Sequence, residues 1–265
     1  MNDPHVVALH YDVLIGPGVD FDTAPPLIQK EPAFDVRLEG KGAKFTMKQH
    51  FATEQDALSV VKPFVDAWNI SAGLELLPDR FRLEYRDSEI IDRSPTPGVS
   101  ALHATNLTTG APEPGRPALT MHRDHFPRPP TNFQTSLEVE AMYSQYRAHN
   151  EGGIPLLHMA YFLLTVLEQG IARPRQSGSR VTNKRAAAAA KLAIDVGVLA
   201  KIGELTAERG RESARKADGW HSELKPKELA WLQEAAKMMI RRAGEVAANP
   251  TGPHQQITMA QLPTL

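Results

Sequence analysis

The sequence predicts an α+β chain: a small, mostly antiparallel sheet with one helix, followed by a C-terminal bundle of about four helices. Three observations carry this. Residues before Pro130 contain several short runs in which apolar and polar side chains alternate, the period of a strand with one wet face. Residues after Pro130 repeat their apolar positions every three or four, the period of a helix. Between them lies a stretch holding Pro112, Pro114, Pro117, Pro127, Pro129 and Pro130, which excludes long regular elements. The expected organisation is a strand-rich α+β domain over 1–130, a helical bundle over 131–250 and an extended tail over 251–265.

The elements follow in order. Val6 to Ile15 is a strand, ended by the turn Gly16-Pro17-Gly18. Phe34, Val36 and Leu38 share one face of a second strand, and Phe45 and Met47 one face of a third; Glu39-Gly40-Lys41-Gly42 joins them as a hairpin. Thr53 is placed to cap a helix whose first turn holds Glu54 and Asp56, where acids suit the dipole. Ala57, Leu58, Val61, Val65 and Trp68 form its stripe; Pro63 is expected to kink or divide it, and Gly73 to end it. Phe81 to Ile91 alternates cleanly, with Phe81, Leu83 and Tyr85 set against Arg80, Arg82, Glu84 and Arg86. Further strands are expected at Val99 to Leu107 and near Ala118 to His122.

In the second half, Ser136 to His149 forms one helix. Pro155 opens a second, apolar on nearly all sides and ended by Gly170, in which His158 is expected to be a hydrogen-bonded core histidine. Ala186 to Glu208 reads as a single third helix, with Leu192, Val196, Leu199, Ile202 and Leu205 on its stripe. Pro226 suits the first position of a fourth, striped by Leu229, Leu232, Ala236, Met239, Ala243 and Val246. Trp220 and Trp231 are core or interface aromatics. The tail from Asn249 is expected to lack regular structure and to lie along the body or a partner.

Composition excludes several chemistries. The 265 residues include no cysteine, so neither a disulfide framework nor a thiolate site is available. The start, Met1-Asn2-Asp3-Pro4-His5, lacks the features of a secretory signal. Ile154 to Leu167, the most apolar run, is shorter than the roughly 20 residues that span a bilayer. The expectation is a cytoplasmic chain without a membrane partner. There is no Walker loop, dinucleotide fingerprint, nucleophile elbow or zincin helix in the sequence, and no cofactor is expected.

Charge is unevenly placed. Met1 to Gly40 carries seven acidic residues against two basic ones, and Ile171 to Lys216 eleven basic against four acidic. The second half can therefore present an anion-binding face, or the excess is a solvated surface. Candidate phosphate or nucleic-acid contacts in its two basic connectors are Arg173, Arg175, Arg180, Lys184 and Arg185, then Arg211 and Lys216. Met121-His122-Arg123-Asp124-His125, with His103 upstream, holds metal-ligand residue types, but an exposed polar loop accounts for them and no metal is assigned.

Arg215-Lys216-Ala217-Asp218-Gly219-Trp220-His221 places an arginine and a histidine with five residues between them. This resembles the signature of HEPN-family ribonucleases, and the resemblance covers roughly Ser136 to Ala248. It implies a dimeric helical bundle that cleaves RNA without a metal, often in defence or toxin systems. Arg215 would grip a phosphate and His221 would move a proton at the 2′-hydroxyl or the leaving oxygen. Two functional classes stand side by side: a binding or assembly protein whose sheet recognises a protein partner and whose bundle homodimerises, and a HEPN-like ribonuclease or nucleotide-binding protein acting on RNA or another anionic ligand.

Overall fold

The computed structural model describes residues 3–94, 121–172, 183–215 and 224–265. Two compact units make up the chain, Met1–Pro130 and Thr131–Leu265.

The first unit is a five-stranded antiparallel sheet with one helix, and its strands are β1 (Pro4–Ile15), β3 (Leu27–Lys30), β4 (Phe34–Glu39), β5 (Gly42–Met47) and β6 (Phe81–Asp92). Their spatial order is β3-β4-β5-β1-β6. The two-residue strands β2 (Val19–Asp20) and β7 (Met121–His122) pair in parallel beside it. The expected hairpin joins β4 to β5, with Leu38 opposite Ala43 and Gly40 at φ +57° in its turn. Because β5 and β6 both run antiparallel to β1, they run parallel to each other, and α1 (Glu54–Leu76) makes the crossover. Pro63 does not divide α1, and the helix continues past Gly73 to Leu76. Thr53 caps it as expected: its side chain accepts from Asp56 N at 3.2 Å.

Alternation places Val6, Leu9, Phe34, Val36, Leu38, Phe45, Phe81 and Leu83 in one buried cluster with Val61, Val65 and Trp68 of α1. Burial of each such side chain contributes about 1.5–3 kcal/mol. Trp68 satisfies its indole by donating to Pro127 O at 2.9 Å. The edge strand β6 is shielded at one point by Asn69, whose amide oxygen accepts from Leu83 N at 2.8 Å while its nitrogen donates to Leu83 O at 3.0 Å. That amide occupies the place of a neighbouring strand's peptide. The opposite sheet face is polar and laced with ion pairs, including Lys44–Glu89 at 3.0 Å and Arg86–Asp12 at 3.0 Å.

The second unit is helical: α2 (Leu137–Asn150), α3 (Leu156–Ala172), α4 (Lys184–Leu192), α5 (Val196–Arg215) and α6 (Pro226–Ala248), then a 3₁₀ turn at Met259–Gln261. The most apolar helix, α3, touches all four others, as a central helix should. Its buried stripe is Leu156, Met159, Ala160, Leu163, Leu164 and Leu167, which leaves His158 exposed rather than in the core. The packing of the neighbouring helices decides this: His158 and Tyr161 fall off the stripe they cover, and Tyr161 is 58% exposed. Gly170 does not end α3, which runs to Ala172.

The single helix expected over Ala186 to Glu208 is two. Ala193 adopts the left-handed conformation at φ 46°, and Asp195 starts α5 by accepting from Gly197 N at 2.7 Å. Tertiary bonds hold this break. Ile257 N donates to Ala193 O, and Asp195 N to Ile257 O, each at 2.8 Å. The tail is thus partly regular: it lies along the break as an isolated bridge, with Ile257 and Leu262 buried. Trp231 is a core residue; Trp220 and the strand expected at Val99 to Leu107 lie outside the described residues.

Candidate functional site: an apolar cleft in the helical unit

Four segments of the helical unit enclose a cleft of about 360 Å³. The lead into α2 supplies Gln134, Thr135 and Ser136. Ser136 caps that helix, its hydroxyl accepting from Val139 N at 3.3 Å. The lead is fixed to α6 by Gln134 N, which donates to Gly244 O at 3.0 Å. Gly244 lacks a side chain where the Phe133 ring lies, so the two backbones can approach. Val166, Leu167 and Gly170 line the cleft from α3, Lys191 and Leu192 from α4, and Ala243, Val246 and Ala247 from α6. A Cβ added at Gly170 would meet nothing within 4 Å, so this stretch of wall faces open space.

The lining is mainly apolar, with polar groups from the start of α2 (Gln134, Thr135, Ser136 and Glu138) and Lys191 from α4. Thr135 Oγ1 is shut off from solvent and has no hydrogen-bond partner among the described residues. A buried hydroxyl without a partner costs about 1–3 kcal/mol. Lys191 is exposed in the last turn of α4, and Glu138 stands in the first turn of α2. Apolar walls with a few polar groups are the usual make-up of a small-molecule site.

The cleft wall formed by the end of α4 is held from behind. Arg242, 6% exposed, donates from Nη1 to Leu192 O at 2.8 Å and to Ala193 O at 3.0 Å. Its Nη2 donates to Gln255 O at 2.6 Å, and its Nε to Glu245 Oε2 at 2.8 Å. One side chain thus satisfies the last carbonyls of α4 and fastens the tail.

The charged residues expected to bind phosphate fall differently. Lys184 opens α4 and is exposed. Arg185 is engaged: its Nε donates to Glu168 at 2.9 Å, and its guanidinium lies against Gly203, so it ties α3, α4 and α5 together. Arg211 and Arg215 belong to α5, one turn apart, rather than to a connector. Arg173, Arg175, Arg180, Lys216 and His221 lie outside the described residues. His122 pairs with Asp20 at 3.1 Å, and no group of three metal-ligating side chains occurs among the described residues.

A titratable cluster stands apart, in the sheet unit. The rings of His5 and His50 stack at 5.1 Å, and Arg93 Nη1 lies 3.3 Å from His50 Nδ1. Burial lowers the pKa of His5, the positive charges of His50 and Arg93 lower it further, and Asp3 opposes them.

None of the cleft residues carries a motif. Their signal is a lack of bulk at Gly170, Ala243 and Ala247, which becomes a cleft only once α3 and α6 are adjacent. No family model, curated protein or solved structure matches the chain.

Proposed function

We propose that the chain is a binding protein whose helical unit takes an apolar molecule, or an apolar side chain of a partner, in the cleft between α2, α3, α4 and α6. The supporting observation is the cleft itself, walled largely by apolar side chains: Val166, Leu167, Leu192, Ala243, Val246 and Ala247. Recognition of a protein by the polar sheet face and homodimerisation of the helical unit belong to the same reading; light scattering tests the second.

The test is a melting curve of the full chain with and without millimolar 1-hexanol. A ligand that binds only the folded state raises the melting temperature by mass action. Gly170→Leu puts a side chain into the cleft and should remove that rise while the variant's circular dichroism stays native. A rise that survives Gly170→Leu, or no rise at all, contradicts the proposal.

The ribonuclease reading is the alternative. It is supported by Arg215 standing on α5, with Arg211 one turn before it, since a helix presents a phosphate-gripping arginine more firmly than a loop. It requires RNA cleavage by the purified chain in EDTA, lost on His221→Ala with the fold retained. Absence of cleavage removes it.

A further inference from the structure

We infer that α6 and the tail form a second site, which takes one small oxyanion, a carboxylate or a phosphate group, and that the bound ion fastens the tail. This does not depend on the apolar cleft being a binding site.

Two segments build it. Met238, Arg241, Arg242 and Glu245 recur at the spacing of one helix face, so α6 presents them together. Gln255 and Gln261 line the same cavity from the tail. Its volume is about 110 Å³, room for roughly five non-hydrogen atoms at the density of a protein interior. Phosphate has five such atoms and acetate four. A ligand of that size would touch helix and tail at once.

The lining holds the donors that an oxyanion needs. A guanidinium has five N–H groups in one plane. Four of those on Arg242 are engaged: Nε on Glu245, Nη1 on Leu192 O and Ala193 O, and Nη2 on Gln255 O. One N–H on Nη2 has no acceptor among the described residues. Gln261 Oε1 accepts from Thr258 N at 3.0 Å, which leaves the amide nitrogen of Gln261 to donate. Arg241 is exposed and enters no ion pair among the described residues.

The charge of the lining has one sign. Arg242 and Glu245 form an ion pair at 2.8 Å and offset each other. Arg241 adds a further positive charge to the same small cavity. An anion there gains charge-assisted hydrogen bonds, about twice as strong as neutral ones. A neutral molecule forgoes them, and a cation meets Arg241.

The experiment is isothermal titration of the full chain with sodium phosphate and, separately, sodium acetate, with ionic strength held constant by sodium chloride. At least one should bind at one site per chain, and the tighter of the two names the group. Arg241→Gln, an exposed change that leaves the bonds of Arg242 in place, should weaken that ligand about tenfold, the scale of one charge-assisted hydrogen bond. Lys227→Gln removes an equal charge from the start of the same helix and should alter binding by less than about twofold. The tail gives the second readout. Ile257 is buried, so a protease reaches it only when the tail lifts. Ligand at ten times its dissociation constant should slow cleavage there about tenfold, and the same concentration only about twofold in Arg241→Gln. No binding of either ion, equal weakening by Arg241→Gln and Lys227→Gln, or binding without slower cleavage of the tail overturns the inference.

Discussion

Arg242 Nη1 donates at 2.8 Å to the carbonyl oxygen of Leu192, the last residue of α4, so a side chain from α6 does the work of a helix cap. The same guanidinium holds Ala193 O and Gln255 O. Leu192 also lines the cleft, so the clasp sets the position of that wall. Removing Arg242 would take this donor from Leu192 O and Gln255 O, leave Ala193 O to Ile257 N, and leave the part-buried Glu245 carboxylate without it. Arg242→Met should destabilise the fold by roughly 3 kcal/mol or more. Denaturant unfolding measures this, and proteolysis should cut first in the released tail. Arg242→Lys should rescue little, since an ammonium cannot span three acceptors in one plane.

Asn69→Ala should cost about 1–2 kcal/mol, because Leu83 N–H and C=O lose their partner on an edge strand. Chemical denaturation followed by sheet circular dichroism reads the loss. Faster exchange of the Leu83 amide should accompany it.

Gly244→Ala should destabilise even though alanine is the better helix former by about 1 kcal/mol. The new methyl would overlap the Phe133 ring and push the Gln134 segment off α6. The double variant Gly244→Ala, Phe133→Ala should recover part of the loss, which a double-mutant cycle quantifies.

Stability should change with pH at both ends. The folded pKa of His5 lies below its ordinary 6.5, chiefly through burial. The folded state therefore favours the neutral ring; this contribution is complete above about pH 6.5 and is lost as pH falls through the folded value. Burial pushes Tyr146 up to about 12. The contribution of its protonated phenol is complete below pH 10, the ordinary tyrosine value, and is lost as pH rises from there towards 12. Melting temperatures of His5→Gln and Tyr146→Phe against wild type across these ranges check each sign: the first variant should flatten the acid limb, the second the alkaline limb.

The sheet unit was largely legible before the structure because its signals are local. Alternation in β4, β5 and β6, the Thr53 cap and the turn at Gly40 each depend on neighbours in sequence. Pro226 opened α6 for the same reason. The break at Ala193 was hidden, since Lys191-Leu192-Ala193-Ile194 holds neither glycine nor proline. Its left-handed alanine persists through bonds from Arg242 and Ile257, both distant in sequence. Asp195 was the one local hint, as an N-cap residue inside an apolar stripe. His158 was misplaced because α3 is apolar on nearly all sides, and only the neighbouring helices fix which stripe is buried. The short strand β3 pairs only along β4, and its exposed Ile28 obscures the alternation. The cleft was illegible because it is a shape: small residues on α3 and α6 make a site only after the helices meet.

The most direct test of the binding reading is methyl-detected NMR of the full chain titrated with 1-hexanol. Shifts should move for Val166, Leu167, Leu192 and Val246 and stay still for Val36 and Leu38 in the sheet core, with all movement lost in Gly170→Leu. Unmoved cleft methyls at millimolar 1-hexanol, or shifts spread equally over both units, would contradict it.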